Sequence, residues 1–160
     1  SQDSAELTFS EDKDPSIVTV NLAKAVNPGK TGKIKVGFSL KVPKVSCRQS
    51  YFITDRNDAS AEDIVICLGP FLPTLPVYEN GTWAKGGYFP YGECFYTRCS
   101  DYNVHLEVPV GYEACATGSE KQNDDGSCDF EATNVRDFLL MTGKNLSYTQ
   151  ETVNGINVRV

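Results

Sequence analysis

Residues 102–110, YNVHLEVPV, alternate apolar and polar side chains without a break. A strict period of two is the pattern of a strand with one buried face, because successive side chains on a pleated backbone point to opposite sides. Tyr102, Val104, Leu106, Val108 and Val110 are expected to face inward, with Asn103, His105, Glu107 and Pro109 outward. Pro109 lacks an N–H and marks an edge or the end of pairing. Residues 34–42, IKVGFSLKV, repeat the pattern, with Ile34, Val36, Phe38, Leu40 and Val42 on one face. Two such segments commit a large part of the chain to sheets, and no stretch carries a sustained helical stripe. The nearest to one is NVRDFLLMT, residues 134–142, where Val135, Phe138, Leu139 and Thr142 have helix-like spacing. It is short and lies between turns, so it is read as strand.

Shorter β-rich runs occupy residues 17–22, 63–68, 127–131 and 156–160. Between them stand Asn27-Pro28-Gly29, Asn80-Gly81, Asp125-Gly126 and Asn154-Gly155, pairs suited to tight turns and hairpins. Strands at this spacing predict an all-β fold, an antiparallel β-sandwich. Residues 1–14 read as a flexible N-terminal segment and 15–160 as the sandwich domain.

With 160 residues and 40% hydrophobic content, the chain can bury a core of its own. Its net charge of −6 argues against nucleic acid or an anionic membrane as partner, since both favour a basic face. No apolar run approaches the roughly 20 residues of a membrane span. The opening SQDSAELTFSEDKD is polar and acidic, unlike a signal peptide, so the chain is read as a mature or excised portion of a protein.

Six cysteines stand at Cys47, Cys67, Cys94, Cys99, Cys115 and Cys128. An even count suits an oxidising compartment. Cys94 and Cys99 lie close in sequence, and Cys115 and Cys128 flank a turn-rich stretch. Both pairs are therefore expected to bridge hairpin arms, leaving Cys47 for Cys67. Free thiols in a reduced protein are the open alternative. A zinc site is disfavoured, because no C-x-x-C pair occurs.

Catalytic motifs are missing. Gly29-Lys30-Thr31 lacks the glycine that a phosphate loop places five residues before its Gly-Lys pair, where this chain has Lys24. Neither G-x-G-x-x-G nor G-x-S-x-G occurs. His105 is the sole histidine, and a His-Glu-x-x-His zinc site needs two. The acidic clusters lack the spacing of a calcium loop. The densest chemical signal is aromatic: Tyr78, Trp83, Tyr88, Phe89, Tyr91, Phe95, Tyr96 and Tyr102 form one run, with Gly86, Gly87, Pro90 and Gly92 between them. This composition predicts a long ordered loop. Tyr78, Trp83, Tyr88, Tyr91 and Glu93 are its candidate contact residues, for a neighbouring domain or for a glycan or protein ligand.

Four pieces, in order, resemble the non-catalytic β-domain that precedes the catalytic domain in secreted bacterial zinc aminopeptidases of the aminopeptidase N family. They are NPGKTGKIKVGFSLKVP; FLPTLPVYENGTW, where Phe71, Pro73, Val77, Tyr78 and Trp83 match in kind; YFPYGECFYTRCSDYNVHLEVPVGYEACATG; and FEATNVRDFLLMTGKN, with Asn134 to Phe138 as its centre. The resemblance spans roughly residues 15–160 and implies a saddle-like sandwich lacking its first strands. Cys94 and Cys99 depart from the family's usual pattern. The family's zinc site and its Gly-x-Met-Glu-Asn motif would lie beyond Val160. What the resemblance implies is a chain inactive alone, with no catalytic or metal-binding residue and no cofactor. Zinc would belong to the full-length enzyme, outside the cell or at the surface of a bacterium. The implied partners are the catalytic domain of the same polypeptide and, in the whole enzyme, a peptide substrate.

Overall fold

The computed structural model describes residues 1–2, 5–42, 50–54, 64–86, 88–89, 91–92 and 95–160. Its strands are β1 (Phe9–Glu11), β2 (Val18–Val20), β3 (Ser50–Thr54), β4 (Ile64–Leu68), β5 (Tyr78–Glu79), β6 (Thr82–Trp83), β7 (Ser100–Leu106), β8 (Tyr112–Ala116), β9 (Ser119–Gln122), β10 (Cys128–Val135), β11 (Leu140–Lys144), β12 (Gln150–Val153) and β13 (Ile156–Arg159). Every pairing among them is antiparallel, and no helix occurs among the described residues. The all-β expectation is met. The chain divides into two compact units, one of Ser1–Lys41 with Leu75–Thr97, the other of Val42–Thr74 with Arg98–Val160.

The second unit holds the core. Its three-stranded sheet runs β7-β10-β9 and its four-stranded sheet β3-β4-β11-β8. Cys128 and Phe130 from β10 meet Phe138 and Leu140 from the β10–β11 connection and β11, all buried. Tyr102, Val104 and Leu106 cover this cluster from β7, Ala114 and Ala116 from β8, and Leu68 from β4. The arrangement is two sheets joined through one apolar layer, and the period of two in β7 follows from it: Asp101, Asn103 and His105 are exposed, whereas Tyr102, Val104 and Leu106 are half-buried. Tyr102 and Phe138 lie with ring centroids 5.4 Å apart, and Phe130 meets Phe138 edge-on at 6.5 Å.

Local turn chemistry behaves as the sequence suggests. Asn80-Gly81 and Asn154-Gly155 have φ of 51° and 78°, and 51° and 79°, the doubly left-handed pair of a two-residue hairpin. They join β5 to β6 and β12 to β13. Asp125-Gly126 lies in the β9–β10 hairpin, closed where the Asn123 N–H donates to the Ser127 carbonyl at 2.9 Å. The 134–142 segment forms the end of β10, a short connection and most of β11, without a helix.

Two expectations need correction. Val110 does not face inward: β7 ends at Leu106, and Val110 is fully exposed in a turn where the Tyr112 N–H donates to the Pro109 carbonyl at 3.0 Å. Residues 34–42 do not form a strand at all. Ile34, Val36, Phe38 and Leu40 are exposed, Phe38 by 53%. Periodicity reports the shape of a segment's faces, but a strand also needs a partner for its N–H and C=O groups. Among the described residues only Lys35 is paired here, with Ser1, through bonds of 2.9 and 2.7 Å.

The first unit contrasts with the second. Phe9–Glu11, within the N-terminal segment, pairs with Val18–Val20, and Asp14 closes the connection by accepting bonds from the Ser16 N–H and hydroxyl at 2.9 and 2.6 Å. The Gln2 side chain clamps the Lys24 backbone from both sides, donating to its carbonyl at 3.2 Å and accepting from its N–H at 3.1 Å. Val77 is the one buried large hydrophobic residue among the unit's described residues, at 3% exposure.

Candidate functional site

The aromatic stretch in the first unit is organised around Val77. Its N–H donates to the Tyr96 carbonyl at 3.2 Å and its carbonyl accepts from the Ala84 N–H at 2.8 Å, so both arms of the stretch are tied to one residue. Beyond it, β5 and β6 bring Tyr78 directly opposite Trp83, ring centroids 4.9 Å apart and edge-on. That separation and tilt are favourable for aromatic quadrupoles. The two side chains nevertheless remain exposed. Tyr88 leans on Phe95 at 5.8 Å, and the Tyr96 hydroxyl donates to Glu79 at 3.5 Å. Tyr91 is 88% exposed. Of the candidate contact residues, Tyr78 and Trp83 are thus placed together, Tyr88 is held by a neighbouring ring, and Tyr91 projects to solvent. Glu93 lies outside the described residues.

The cysteines are arranged differently from expectation. Cys67, Cys99, Cys115 and Cys128 are free thiols, while Cys47 and Cys94 lie outside the described residues. The expected Cys115–Cys128 bridge is absent for a reason the sheets make plain. Ala114 and Ala116 face the core in which Cys128 is buried, so Cys115, between them on the same strand, faces the other way. Cys115 instead stands beside Met141, which has Cys67 on its far side. Two strand spacings separate Cys67 from Cys115, roughly 9.5 Å, beyond the ~7 Å reach of a disulfide. Burial raises the thiol pKa of both Cys115 and Cys128, which leaves them protonated and unreactive. In a thiol titration with an aromatic disulfide reagent, exposed Cys99 is expected to react well before Cys128, which should be modified only on unfolding. Non-reducing peptide mapping should yield no Cys115–Cys128 pair.

A polar group not anticipated as a unit occupies the outer face of the β7-β10-β9 sheet. The register puts His105 and Lys121 on either side of Asp129, and Asn103 and Ser119 on either side of Glu131. Together they line an open depression of about 330 Å³. His105 Nδ1 lies 2.6 Å from Asp129 Oδ1, and Asn123 Nδ2 donates to the other carboxylate oxygen at 3.0 Å. Alternation along the strand sets the face of His105, and the cross-strand register supplies its partner. The Asp129 hydrogen bond, opposed by some desolvation and aided by Glu107 and Asp125, raises the imidazole pKa above its ordinary 6.5. Correspondingly, His105 and Asn123 hold Asp129 below the ordinary carboxylate value of 3.8.

The sign of the resulting pH dependence follows from linkage. The His105 contribution is complete below pH 6.5 and is lost as pH rises through the raised folded value. The Asp129 contribution is present above pH 3.8 and is lost as pH falls through its lowered value. Proton NMR of the His105 ring should give a midpoint above 6.5, returning toward the ordinary value in Asp129→Asn. A wild-type midpoint at or below 6.5 would contradict the pairing.

Chemically, this dyad falls short of a catalytic site. It is solvent-exposed, and the nearby hydroxyl of Ser127 is engaged by Asp125 at 2.6 Å and Asn123 at 3.0 Å. Among the described residues no three His, Cys, Asp or Glu side chains converge to hold a metal ion, and no helix is long and apolar enough to cross a membrane. The aromatic stretch is therefore the stronger candidate, as a surface for contact. Comparison of the chain with protein-family models, curated proteins and solved structures gives no match.

Proposed function

We propose that this chain is a non-catalytic β-domain of a zinc-dependent aminopeptidase, packing on the catalytic domain and narrowing access to its cleft. Such narrowing admits a free chain end and excludes folded proteins. The observation that carries this reading is the imbalance of the first unit. It buries Val77 yet exposes Tyr78, Trp83, Tyr88 and Tyr91 in one stretch. Rigid aromatic side chains left in water are the composition of an interface core, and large exposed apolar patches are rare on surfaces without partners. The four-part resemblance supplies the partner's class. An extracellular or cell-surface position in a bacterium belongs to the same reading and rests on the resemblance, since the four described cysteines are free thiols.

A second reading is favoured by one specific feature. The exposed Tyr78–Trp83 pair could receive a sugar ring or a protein side chain, as in an extracellular binding module. Two experiments separate the readings. Translation of the native gene beyond the Val160 codon should reveal a His-Glu-x-x-His segment within a few hundred residues, and its absence would count against the peptidase reading. Glycan-array binding by the isolated chain, abolished by Trp83→Ala, would establish the module instead.

A further inference from the structure

Charge is divided unevenly along this acidic chain. No aspartate or glutamate falls between Asp14 and Asp55, an interval holding seven of its fifteen lysines and arginines. Within that interval lie residues 34–42, the alternating segment that has a strand's side-chain pattern and no ladder. Its apolar members Ile34, Val36, Phe38 and Leu40 are exposed, as are Lys35 and Lys41 on the other face. Neither lysine makes an ion pair among the described residues, and the space a side chain at Gly37 would occupy is open. Both faces are open to a partner, and of the segment's backbone groups only the Lys35 N–H and carbonyl are engaged among the described residues, by Ser1.

The second unit contains a strand edge with the complementary pattern. β7 lies at one end of the β7-β10-β9 sheet, so among the described residues one side of its backbone has no neighbouring strand. Such an edge is a template for strand addition. Its polar face carries Asp101, Asn103 and His105, with Glu107 next in line. The two carboxylates are six residues apart with two neutral-capable polar groups between them. The basic segment mirrors this spacing: Lys35 and Lys41 are six apart, with Gly37 and Ser39 between. Six strand steps span roughly 20 Å in either segment, so both charge pairs can form in one register.

We infer that residues 34–42 of one copy of this chain add antiparallel to the β7 edge of a second copy. Lys35 then stands opposite Glu107 and Lys41 opposite Asp101. In the same register Val36, Phe38 and Leu40 align with Leu106, Val104 and Tyr102, extending the apolar layer that already covers Phe130. Opposite charges on facing cross-strand positions are favourable, and like charges there are unfavourable. The donating and accepting surfaces differ, so the contact is heterologous: copies close into a small ring or extend into a chain. This association does not depend on the peptidase reading, which concerns the aromatic stretch.

Sedimentation velocity of the purified chain over a range of concentrations provides the test. The sedimentation coefficient should rise with concentration and the rise should weaken at high salt. Lys35→Glu should weaken association about tenfold, as should Glu107→Lys alone. Combining the two restores an opposite-charge pair and should recover most of the loss. Phe38→Ser should weaken association without any charge change. All three positions are exposed, so circular dichroism is expected to show native folding throughout. A chain that stays monomeric at every concentration overturns the inference. So does association that ignores Lys35→Glu, or a double variant no stronger than the Lys35→Glu single.

Discussion

Replacing Phe130 by alanine is expected to cost about 3–5 kcal/mol of folding stability in the second unit. Phe130 is 2% exposed, the largest fully buried side chain described. It sits on the central strand of the β7-β10-β9 sheet, edge-on to Phe138 and under Val104. Truncation removes the ring's burial and leaves a cavity bounded by two sheets, whose strands are fixed by their own ladders and close up only in part. Small domains have a total stability of roughly 5–15 kcal/mol, so the loss is a large fraction of it. Urea denaturation followed by circular dichroism should show a far lower midpoint. Phe38→Ala, on the exposed basic segment, serves as the control and should change stability by less than about 0.5 kcal/mol in the monomer. Equal midpoints for the two variants would mean that the core has been misplaced.

A comparable effect is expected from a single methyl group at Gly118. Here φ is +105°, a region disfavoured for residues with a Cβ, and that Cβ would lie 2.2 Å from the Glu131 carbonyl oxygen and 2.9 Å from the Ala132 Cβ. Glu131 is opposite Ser119 in the β9–β10 ladder, so the obstructing atom is backbone and cannot step aside without opening the hairpin. Gly118→Ala should therefore cost at least about 3 kcal/mol, from backbone strain and the clash together. Gly155→Ala isolates the first contribution: φ there is +79° with no atom within 4 Å of the added carbon, and about 1 kcal/mol is expected. Thermal melts of both variants give the comparison directly. A Gly118→Ala loss no larger than that of Gly155→Ala would contradict the close approach.

The contrast between these glycines also shows which parts of the structure were legible in the sequence. Asn154-Gly155 was readable because a two-residue hairpin is decided by its own φ angles. The strands at 102–106 and 128–131 were readable because each has one face on the core, and burial imposes the period of two. Residues 34–42 carry the same period and form no strand, because pairing depends on a partner that local pattern does not name. The thiols failed for a related reason. Cys115 and Cys128 are close in sequence, but whether two strands share a sheet and which way each residue faces are set by long-range register. His105 lay in between: its exposed face followed from alternation, whereas Asp129, opposite it across β7 and β10, emerged only from the fold. The aromatic stretch was visible as composition. Its division into a Tyr78–Trp83 pair, a Tyr88–Phe95 pair and a projecting Tyr91 is set by the hairpin and loop backbone, which composition does not specify.

On the proposed reading, another part of the same polypeptide covers the aromatic stretch. Hydroxyl-radical footprinting of Tyr78, Trp83 and Tyr91, in this chain alone and in the full product of its gene, tests it most directly. All three should be oxidised rapidly in the isolated chain, with marked protection of at least Trp83 and Tyr91 in the longer protein. Equal oxidation in the two samples would contradict it.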